Sequence, residues 1–353
     1  MDMHLDELVS RIGEVDARVA EAARKEIDGK TKPQGSLGRI EAIAVRLASI
    51  YGEVAFDTMP RAVVVLAADH GVARRGVSAY PSAVTAQMVH NFAAGGAAVN
   101  VLARQMAART VIVDMGVAGE HRWPPSVRRC ALGAGTEDLA AGPAMSEAQA
   151  LEAIGTGAAI VAELVRDGCR LMLTGEMGIG NSTAGAALTA AFTGRGAAEV
   201  TGRGTGVADA ALARKIEVVA HALARHAPSA ERPLATLAAL GGFEIAGLVG
   251  VVLGAAAERI PVVLDGFIAG AAALAAVALA PRARAFLFAG HRSAERGHDA
   301  ALASLGLEPI LDLGLRLGEG SGALLALPVL DAAARILREM ASFASAGVSG
   351  PSG

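Results

Sequence analysis

The 353-residue chain contains few aromatic residues, cysteines or charges. Aromatic residues make up 3%, with a single Trp, whereas membrane-spanning helices usually carry Trp and Tyr at the lipid interface. Cys130 and Cys169 are too few for a disulfide framework or a cysteine-ligated zinc site. A net charge of -3 gives no electrostatic basis for binding nucleic acid or an anionic membrane. We therefore expect a cytoplasmic protein whose partner is a small molecule.

Long runs of strongly apolar residues are also lacking, although 53% of the residues are hydrophobic. The two most apolar segments, 233–256 and 260–281, consist largely of Ala and Gly and contain Glu244 and Asp265. Ala and Gly insert weakly into membranes compared with Leu or Ile. The first residues are acidic where a signal peptide would be basic and then apolar. We expect both segments to lie in the core and predict no membrane association.

Strands are predicted by short apolar runs that each end at glycine or polar residues: 62–68, 110–113, 171–173, 262–264, 285–288 and 309–311. Helical stretches lie between several of these runs, and the clearest, 147–166, follows a capping box of Ser146 and Gln149. This alternation predicts an α/β fold, a Rossmann-like doubly wound parallel sheet. Ligands bind beyond the carboxyl ends of the strands in such sheets.

The two ends of the chain are predicted to form a small helical domain. Apolar residues at helical spacing indicate a helix over 36–50 that is capped by Ser36, and a second helix over 322–342 that Pro328 should kink or interrupt. We therefore divide the chain into a helical domain, 1–60 plus 322–353, and an α/β domain, 61–321. The small-residue tail from 344 to 353 is expected to be disordered.

The densest cluster of glycine and polar residues follows the third predicted strand and precedes a predicted helix. Its candidate binding residues are Gly175, Glu176, Gly178, Ile179, Gly180, Asn181, Ser182 and Thr183. Backbone N–H groups at a helix N-terminus, together with two hydroxyls, suit a phosphate. Asn181 stands where a P-loop has lysine, so a monophosphate fits better than a triphosphate. The alternative is an ordinary tight turn, which would leave Glu176 unexplained.

Two further segments suggest a catalytic base and a slot for a ring. Glu319 is isolated in the glycine loop 318–322, where an apolar lining would raise its pKa toward that of a useful general base. The alternative is a solvated loop glutamate. The segment 76–88 combines an aromatic residue, a proline, an amide and a methionine, a mixture that suits a heteroaromatic ring or, equally, the core.

Other motifs are weaker. The glycine-rich segment 202–206 does not keep the Rossmann fingerprint spacing, and Lys215 would be an ordinary solvated lysine unless a phosphate lies nearby. A metal site is suggested only by residues at predicted strand ends: Asp69, His70, Asp114, Asp265 and His291. Because no pair of them has a metal-ligand spacing, we expect no metal and no cofactor.

Several of these segments together resemble one enzyme family, the nicotinate-nucleotide:dimethylbenzimidazole phosphoribosyltransferases, from about residue 20 to residue 340. The matching segments are 32–41, 68–72, 80–88, 175–183 and 315–322. The resemblance implies a homodimeric Rossmann-like enzyme with each site near the partner subunit. It also implies transfer of phosphoribose from nicotinate mononucleotide to 5,6-dimethylbenzimidazole, which gives the α-ribazole phosphate of the cobalamin lower loop.

The resemblance also implies residue roles. Glu319 matches the catalytic glutamate, while Glu176 and 178–183 match the nucleotide-binding segment. Lys215 and Ser293 match its phosphate contacts, and the predicted base-binding residues are Tyr80, Pro81, Gln87, Met88 and Leu317. Asp265 is a further predicted nucleotide or phosphate contact because it falls at a strand end that faces the proposed site. Ser182 replaces a more usual Thr but keeps a hydroxyl.

Two rival functions come from other classes. A dinucleotide-dependent oxidoreductase is favoured by the α/β pattern, but Asp69-His70-Gly71 stands after the first predicted strand where the Gly-x-Gly-x-x-Gly turn belongs. A nucleotide-sensing binding protein would need no Glu319.

Overall fold

A computed structural model describes residues 5–349 and has a six-stranded sheet at its centre. Its strands are β1 (Arg61–Ala68), β2 (Ala108–Gly116), β3 (Val127–Arg129), β4 (Leu171–Met177), β5 (Val262–Leu264) and β6 (Leu287–Ala289). Their order is β3-β2-β1-β4-β5-β6, and each neighbouring pair is parallel. The predicted doubly wound α/β fold is therefore confirmed, with its topological switch point between β1 and β4.

Helices cover both faces and the ends of this sheet. They are α1 (Leu5–Ser10), α2 (Ala17–Asp28), α3 (Arg39–Tyr51), α4 (Ala83–Ala94), α5 (Ala98–Gln105), α6 (Glu147–Arg166), α7 (Asn181–Thr193), α8 (Ala197–Val200), α9 (Asp209–His226), α10 (Pro233–Leu240), α11 (Phe243–Ala257), α12 (Phe267–Leu279), α13 (His298–Leu305), α14 (Ser321–Glu339) and α15 (Phe343–Ala346). Two 3-10 turns, Gly71–Arg75 and Pro281–Phe286, precede α4 and β6.

The apolar segments form the core, as expected. The helices α11 and α12 are buried along nearly their whole length. α11 packs so closely on α6 that a Cβ added to Gly157 would overlap the Gly247 carbonyl, which explains why these helices are rich in glycine. By length and composition alone, α6 is the one described helix that is both long and apolar enough to cross a bilayer. It begins with the predicted Ser146 and Gln149 capping box.

Two predictions about the chain ends are wrong. Ser36 does not cap α3, which follows Gly38 without a side-chain cap; the Glu41 carboxylate instead accepts a hydrogen bond from the Leu37 N–H at 2.9 Å. The predicted interruption at Pro328 is wrong because α14 is continuous from Ser321 to Glu339, whereas a kink at this proline stays a prediction. Buried side chains on both sides of the proline, such as Leu327 and Leu330, hold this helix against the protein.

Three other local predictions also need correction. The run 309–311 is not a sheet strand, because among the described residues only one bridge pairs it with the rest, between Leu311 and His291. The last strand begins at Leu287, since the proline at 281 starts a 3-10 turn. β3 is not predicted from the sequence, because it is three residues long and two of them are arginines.

The described part of the tail is partly helical, so the predicted disorder is wrong there. The helix α15 is capped by Ser342, and the Val348 N–H donates to the Phe343 carbonyl. Residues 1–4 and 350–353 lie outside the described residues. Near the other end of the chain, α2 and α3 pack against each other and against α14. The division into 1–60 plus 322–353 and 61–321 stays a prediction.

Candidate active site

The predicted glycine loop lies at the carboxyl end of β4, next to the switch point. Gly175 and Glu176 are in the strand itself, and the turn from Gly178 to Gly180 leads directly into α7. Gly180 has a φ of +101°, which an L side chain rarely adopts. This turn places the N-terminus of α7 at the edge of the sheet where ligands bind in this fold.

Glu176 lies beneath this loop and is 8% exposed. Asn181 Nδ2 donates to Glu176 Oε2 at 2.5 Å. Burial, with the negative charges of Asp265, Glu244 and Glu319, raises the pKa of Glu176 to about 8. The carboxyl group is therefore mostly protonated at neutral pH, and Asn181, where a P-loop has lysine, is its hydrogen-bond partner.

Glu319 approaches the same edge from the loop before α14. It is 6% exposed, and its Oε2 is buried without a hydrogen-bond partner among residues 5–349. Burial, and to a smaller extent Asp265, raises the pKa of Glu319, while the Val99 N–H lowers it. The backbone of Glu319 has a φ of +64°, and its carbonyl oxygen would be 2.6 Å from a Cβ placed on Gly175. Glu176 lies against the loop that carries Glu319, because a Cβ on Gly318 would overlap the Glu176 carboxylate.

Asp265, predicted to contact the nucleotide, lies at the end of β5 and is 1% exposed. Its carboxylate accepts hydrogen bonds from the N–H groups of Gly320 at 3.1 Å, Gly322 at 2.7 Å and Ala323 at 3.1 Å. It therefore occupies the N-terminus of α14, where a negative charge is stabilised by the helix dipole. This geometry favours a role in holding the Glu319 loop, and direct contact with the nucleotide stays a prediction.

Lys215 is fully buried, which is unusual for a side chain that can carry a charge. Its Nζ donates to Ser182 Oγ at 2.9 Å and to the Gly202 carbonyl at 3.1 Å. Burial lowers the pKa of Lys215 to about 8. The structure thus joins Lys215 to the glycine loop, 33 residues away in sequence. An anion bound here would favour the charged form of the lysine.

Ser293 is joined to the same region through Glu295. The Glu295 N–H donates to Ser293 Oγ at 3.3 Å, and the Glu295 carboxylate lies against Gly202. The Ser293 N–H donates to His298 Nδ1 at 2.8 Å. Ser293, Glu295 and Lys215 are therefore linked through Gly202, and the Glu295 carboxylate favours the charged form of Lys215.

The predicted base-binding residues are more exposed. Tyr80 and Leu317 are 55% and 58% exposed. Pro81 and Gln87 are also exposed, and Met88 is half-buried. Within α4, which carries Gln87 and Met88, Thr85 Oγ1 accepts from the Ile179 N–H at 3.1 Å and so joins this helix to the glycine loop.

The comparisons with known proteins agree with this geometry. A family model described as "Phosphoribosyltransferase" matches residues 12–348. Nicotinate-nucleotide–dimethylbenzimidazole phosphoribosyltransferase of Roseiflexus sp. (strain RS-1) is 55% identical over 346 residues, covering 98% of each chain. The enzyme of that name from Chloroflexus aurantiacus (strain ATCC 29366 / DSM 635 / J-10-fl) is 54% identical over 341 residues, covering 97% of each. The chain belongs to this phosphoribosyltransferase family.

A solved structure of a family member has the same fold. The crystal structure of the phosphoribosyltransferase of this name from Thermus thermophilus aligns with a TM-score of 0.90 at 46% identity, over 95% of this chain and 100% of that one. The predicted resemblance is therefore confirmed over nearly the whole chain. Membership in this family favours the phosphoribosyltransferase over the oxidoreductase.

Sequence reasoning missed one buried pair under the glycine loop of this phosphoribosyltransferase. His70 Nε2 lies 2.6 Å from Glu244 Oε1, and neither side chain is exposed. A Cβ on Gly178 would be 3.3 Å from both side chains. The sequence feature that could have pointed to this pair is Glu244, the one acidic residue in the apolar helix α11. Taken alone, a charged residue there argues only against a membrane span.

The other acidic and histidine residues at strand ends also have protein partners. Asp114 accepts from Trp123 Nε1 at 2.7 Å. Asp69 accepts from Thr85 Oγ1 at 2.7 Å, and His291 lies 3.6 Å from Asp265. Across residues 5–349, no three His, Cys, Asp or Glu side chains are grouped so that they could hold a metal ion.

Proposed function

We propose that this chain transfers 5-phosphoribose from nicotinate mononucleotide to 5,6-dimethylbenzimidazole, giving α-ribazole 5'-phosphate and nicotinate. The observation that carries the proposal is the buried, unpartnered Glu319 Oε2 next to a glycine loop at the switch point of the described sheet. A lone carboxylate is the one chemical group that this reaction requires besides substrate binding. Names of relatives at 55% and 54% identity support the same two substrates.

Nucleotide binding is assigned to the region around Lys215. The Lys215 ammonium and the Ser182 hydroxyl supply donors for the 5'-phosphate, and the positive end of the α7 dipole lies beside them. The phosphate dianion would displace the pKa of Lys215 upward from about 8 and keep the lysine charged. We place Ser293 beside them as a further donor.

Glu319 is proposed as the general base. The ring nitrogen of nicotinate mononucleotide is a pyridinium, so nicotinate leaves with the electrons of the C1'–N bond and needs no protonation. The benzimidazole nitrogen forms the new bond to C1' as Glu319 takes the proton from the other ring nitrogen. Attack opposite the leaving ring converts the β-nucleotide to the α-product, and binding both substrates side by side supplies much of the acceleration.

Glu176 is proposed to act in its protonated form. With its pKa raised to about 8, it adds no full negative charge beside Glu319 at neutral pH. Its O–H is then a donor available to the nucleotide, while Asn181 orients the other oxygen. One of the two carboxyls can thus stay neutral while the other accepts a proton.

The experiment that tests the function is a transfer assay. The purified protein is incubated with nicotinate mononucleotide and 5,6-dimethylbenzimidazole, and released nicotinate and α-ribazole phosphate are measured by chromatography. We expect both products in equal amounts. Binding of the nucleotide without release of nicotinate would favour a nucleotide sensor, and reduction of an added dinucleotide would favour an oxidoreductase.

The chemistry above also predicts that turnover continues after exhaustive dialysis against EDTA, since a pyridinium leaving group needs no Lewis acid. The same assay, with and without chelator, measures this. A strict requirement for added metal would contradict the mechanism.

We further propose a cytoplasmic homodimer with the site near the partner subunit, in line with the expectations from the sequence.

A further inference from the structure

The second glycine-rich segment, 202–206, lies between the parts of the candidate site. We define it here as the bridging loop. Sequence reasoning could treat it only as weak evidence for a dinucleotide. In the structure it makes hydrogen bonds to the nucleotide region, to the loop that carries Glu319 and to the loop that carries Tyr80.

On one side, the bridging loop contacts the nucleotide region. The Gly202 carbonyl accepts from Lys215 Nζ at 3.1 Å. Gly204 has a φ of +52°, and a Cβ there would be 2.5 Å from Ser182 Oγ and 3.0 Å from Lys215 Nζ. Only glycine permits so close an approach of the backbone to these two side chains.

On another side, the bridging loop is tied to the segment that leads to Glu319. Arg316 Nη1 donates to the Gly204 carbonyl at 3.2 Å. Arg316 is three residues before Glu319 and next to Leu317, a predicted base-binding residue. A shift of the bridging loop would therefore displace the segment that carries Leu317 and Glu319.

On the third side, Thr205 fixes the loop that carries Tyr80. Thr205 Oγ1 accepts from the Ala79 N–H at 3.0 Å and lies 3.3 Å from Ser78 Oγ. Ser78 Oγ in turn accepts from the Tyr80 N–H at 3.2 Å. Tyr80 is 55% exposed, so packing constrains it little, and these hydrogen bonds tie its backbone to Thr205 through Ser78.

We infer that Thr205 is a positioning residue that sets the benzimidazole-binding loop from the nucleotide side of the site. This inference rests on the proposed function. The Thr205 hydroxyl accepts from the Ala79 N–H and contacts the Ser78 hydroxyl, which accepts from the Tyr80 N–H, while Lys215 donates to the Gly202 carbonyl of the same loop. The loop that receives the ring is thereby placed by the same segment that contacts the phosphate region. Thr205 acts through this loop, so its effect falls on binding of the base.

The test compares Thr205→Val, which keeps the shape and removes the hydroxyl, with Thr205→Ser, which keeps the hydroxyl. Losing a hydrogen-bonded anchor worth about 1 kcal/mol corresponds to a roughly fivefold change. In Thr205→Val we expect the KM for dimethylbenzimidazole to rise about five- to tenfold, with the KM for nicotinate mononucleotide changed less than about twofold. Thr205→Ser should restore the first KM, and the melting temperature of Thr205→Val should fall by no more than about 2–4 °C.

A second measurement keeps the inference independent of the proposed function. Hydrogen exchange of the Ala79 and Tyr80 amides, measured without substrate, should be faster in Thr205→Val than in the wild type and in Thr205→Ser. Equal rises in both KM values, no rescue by Ser, or unchanged amide exchange would each overturn the inference. If the wild type transfers no phosphoribose, the proposed function fails, and amide exchange still decides whether Thr205 positions this loop.

Discussion

Two buried glutamates meet at one edge of the sheet, and they differ in what holds their carboxyl groups. Glu176 belongs to β4, and Asn181 donates to it at 2.5 Å. Glu319 lies in a turn with a φ of +64°, and its Oε2 has no partner within the described part of the chain. The first is placed by regular structure, whereas the second is placed by the contacts of its loop.

The difference separates the two roles. A carboxyl with a fixed amide donor and a pKa of about 8 suits a neutral donor, while an open carboxylate suits a proton acceptor. Unusual backbone conformations persist where the surroundings enforce them. Here Asp265 does so, because it accepts from the N–H groups of Gly320, Gly322 and Ala323.

The largest effect is expected from Glu319→Gln. If Glu319 is the base, removing its charge should lower turnover by at least about 10²-fold, the usual contribution of a general base. Nucleotide binding, measured by calorimetry, should remain. Glu308→Gln is a suitable control, since that side chain is 71% exposed and pairs with Arg39. Unchanged turnover in Glu319→Gln would remove this residue from the mechanism.

A smaller effect is expected from Gly175→Ala, which tests how the Glu319 turn is held. The new Cβ would be 2.6 Å from the Glu319 carbonyl oxygen, so the turn must move. We expect a loss of about 1–3 kcal/mol in the free energy of unfolding, as for other overpacked sites. We also expect kcat to fall more than the KM for the nucleotide rises. Urea unfolding and steady-state kinetics measure the two effects.

The matched control for this change is Gly155→Ala. Gly155 lies within α6, and nothing is within 4 Å of a Cβ placed there. Because alanine favours helix over glycine, this variant should be stabilised by up to about 1 kcal/mol, with unchanged kinetics. If Gly175→Ala behaves like Gly155→Ala, then the close approach of β4 to Glu319 has no role in placing the base.

The sequence predicted the sheet better than it predicted the site. Apolar runs such as 62–68 identify buried parallel strands because burial on both faces leaves no polar alternation. The glycine loop at Gly175 and the isolated Glu319 could also be recognised, since both depend on local chemistry. By contrast, the pairing of His70 with Glu244 and of Lys215 with Ser182 joins residues 174 and 33 positions apart. Only the packing of the helices brings such residues together.

Backbone-mediated roles are equally hidden from the sequence. Asp265 is predicted to contact the nucleotide, and this stays a prediction, but the sequence does not reveal that its carboxylate accepts from three N–H groups at the α14 N-terminus. Thr205 is one residue of a glycine-rich run, and its hydrogen bond to Ala79 depends on a loop 126 residues away. The type of a residue limits the groups that it can bind, whereas the fold determines which of them lies within reach.

The smallest effect is expected from Glu176→Gln. At pH 7 the wild-type carboxyl is mostly protonated, because its pKa is raised to about 8, and an amide has nearly the same shape. We expect kcat/KM at pH 7 to fall by less than about tenfold, well short of the general-base effect at Glu319. Steady-state kinetics at pH 7 measures this. A fall in kcat/KM as large as that of Glu319→Gln would contradict the separate roles proposed for the two glutamates.

The same variant should also change how stability depends on pH. Between about 4.5, the ordinary pKa of a glutamate, and about 8, the folded wild type keeps a proton on Glu176 that the unfolded chain has lost. Stability falls with rising pH wherever the folded state binds more protons, so this group destabilises the wild type progressively across that window. Gln has no proton to lose. The melting temperature of Glu176→Gln relative to the wild type should therefore increase from pH 5 to pH 8, and parallel curves would show that Glu176 is already ionised in the folded protein.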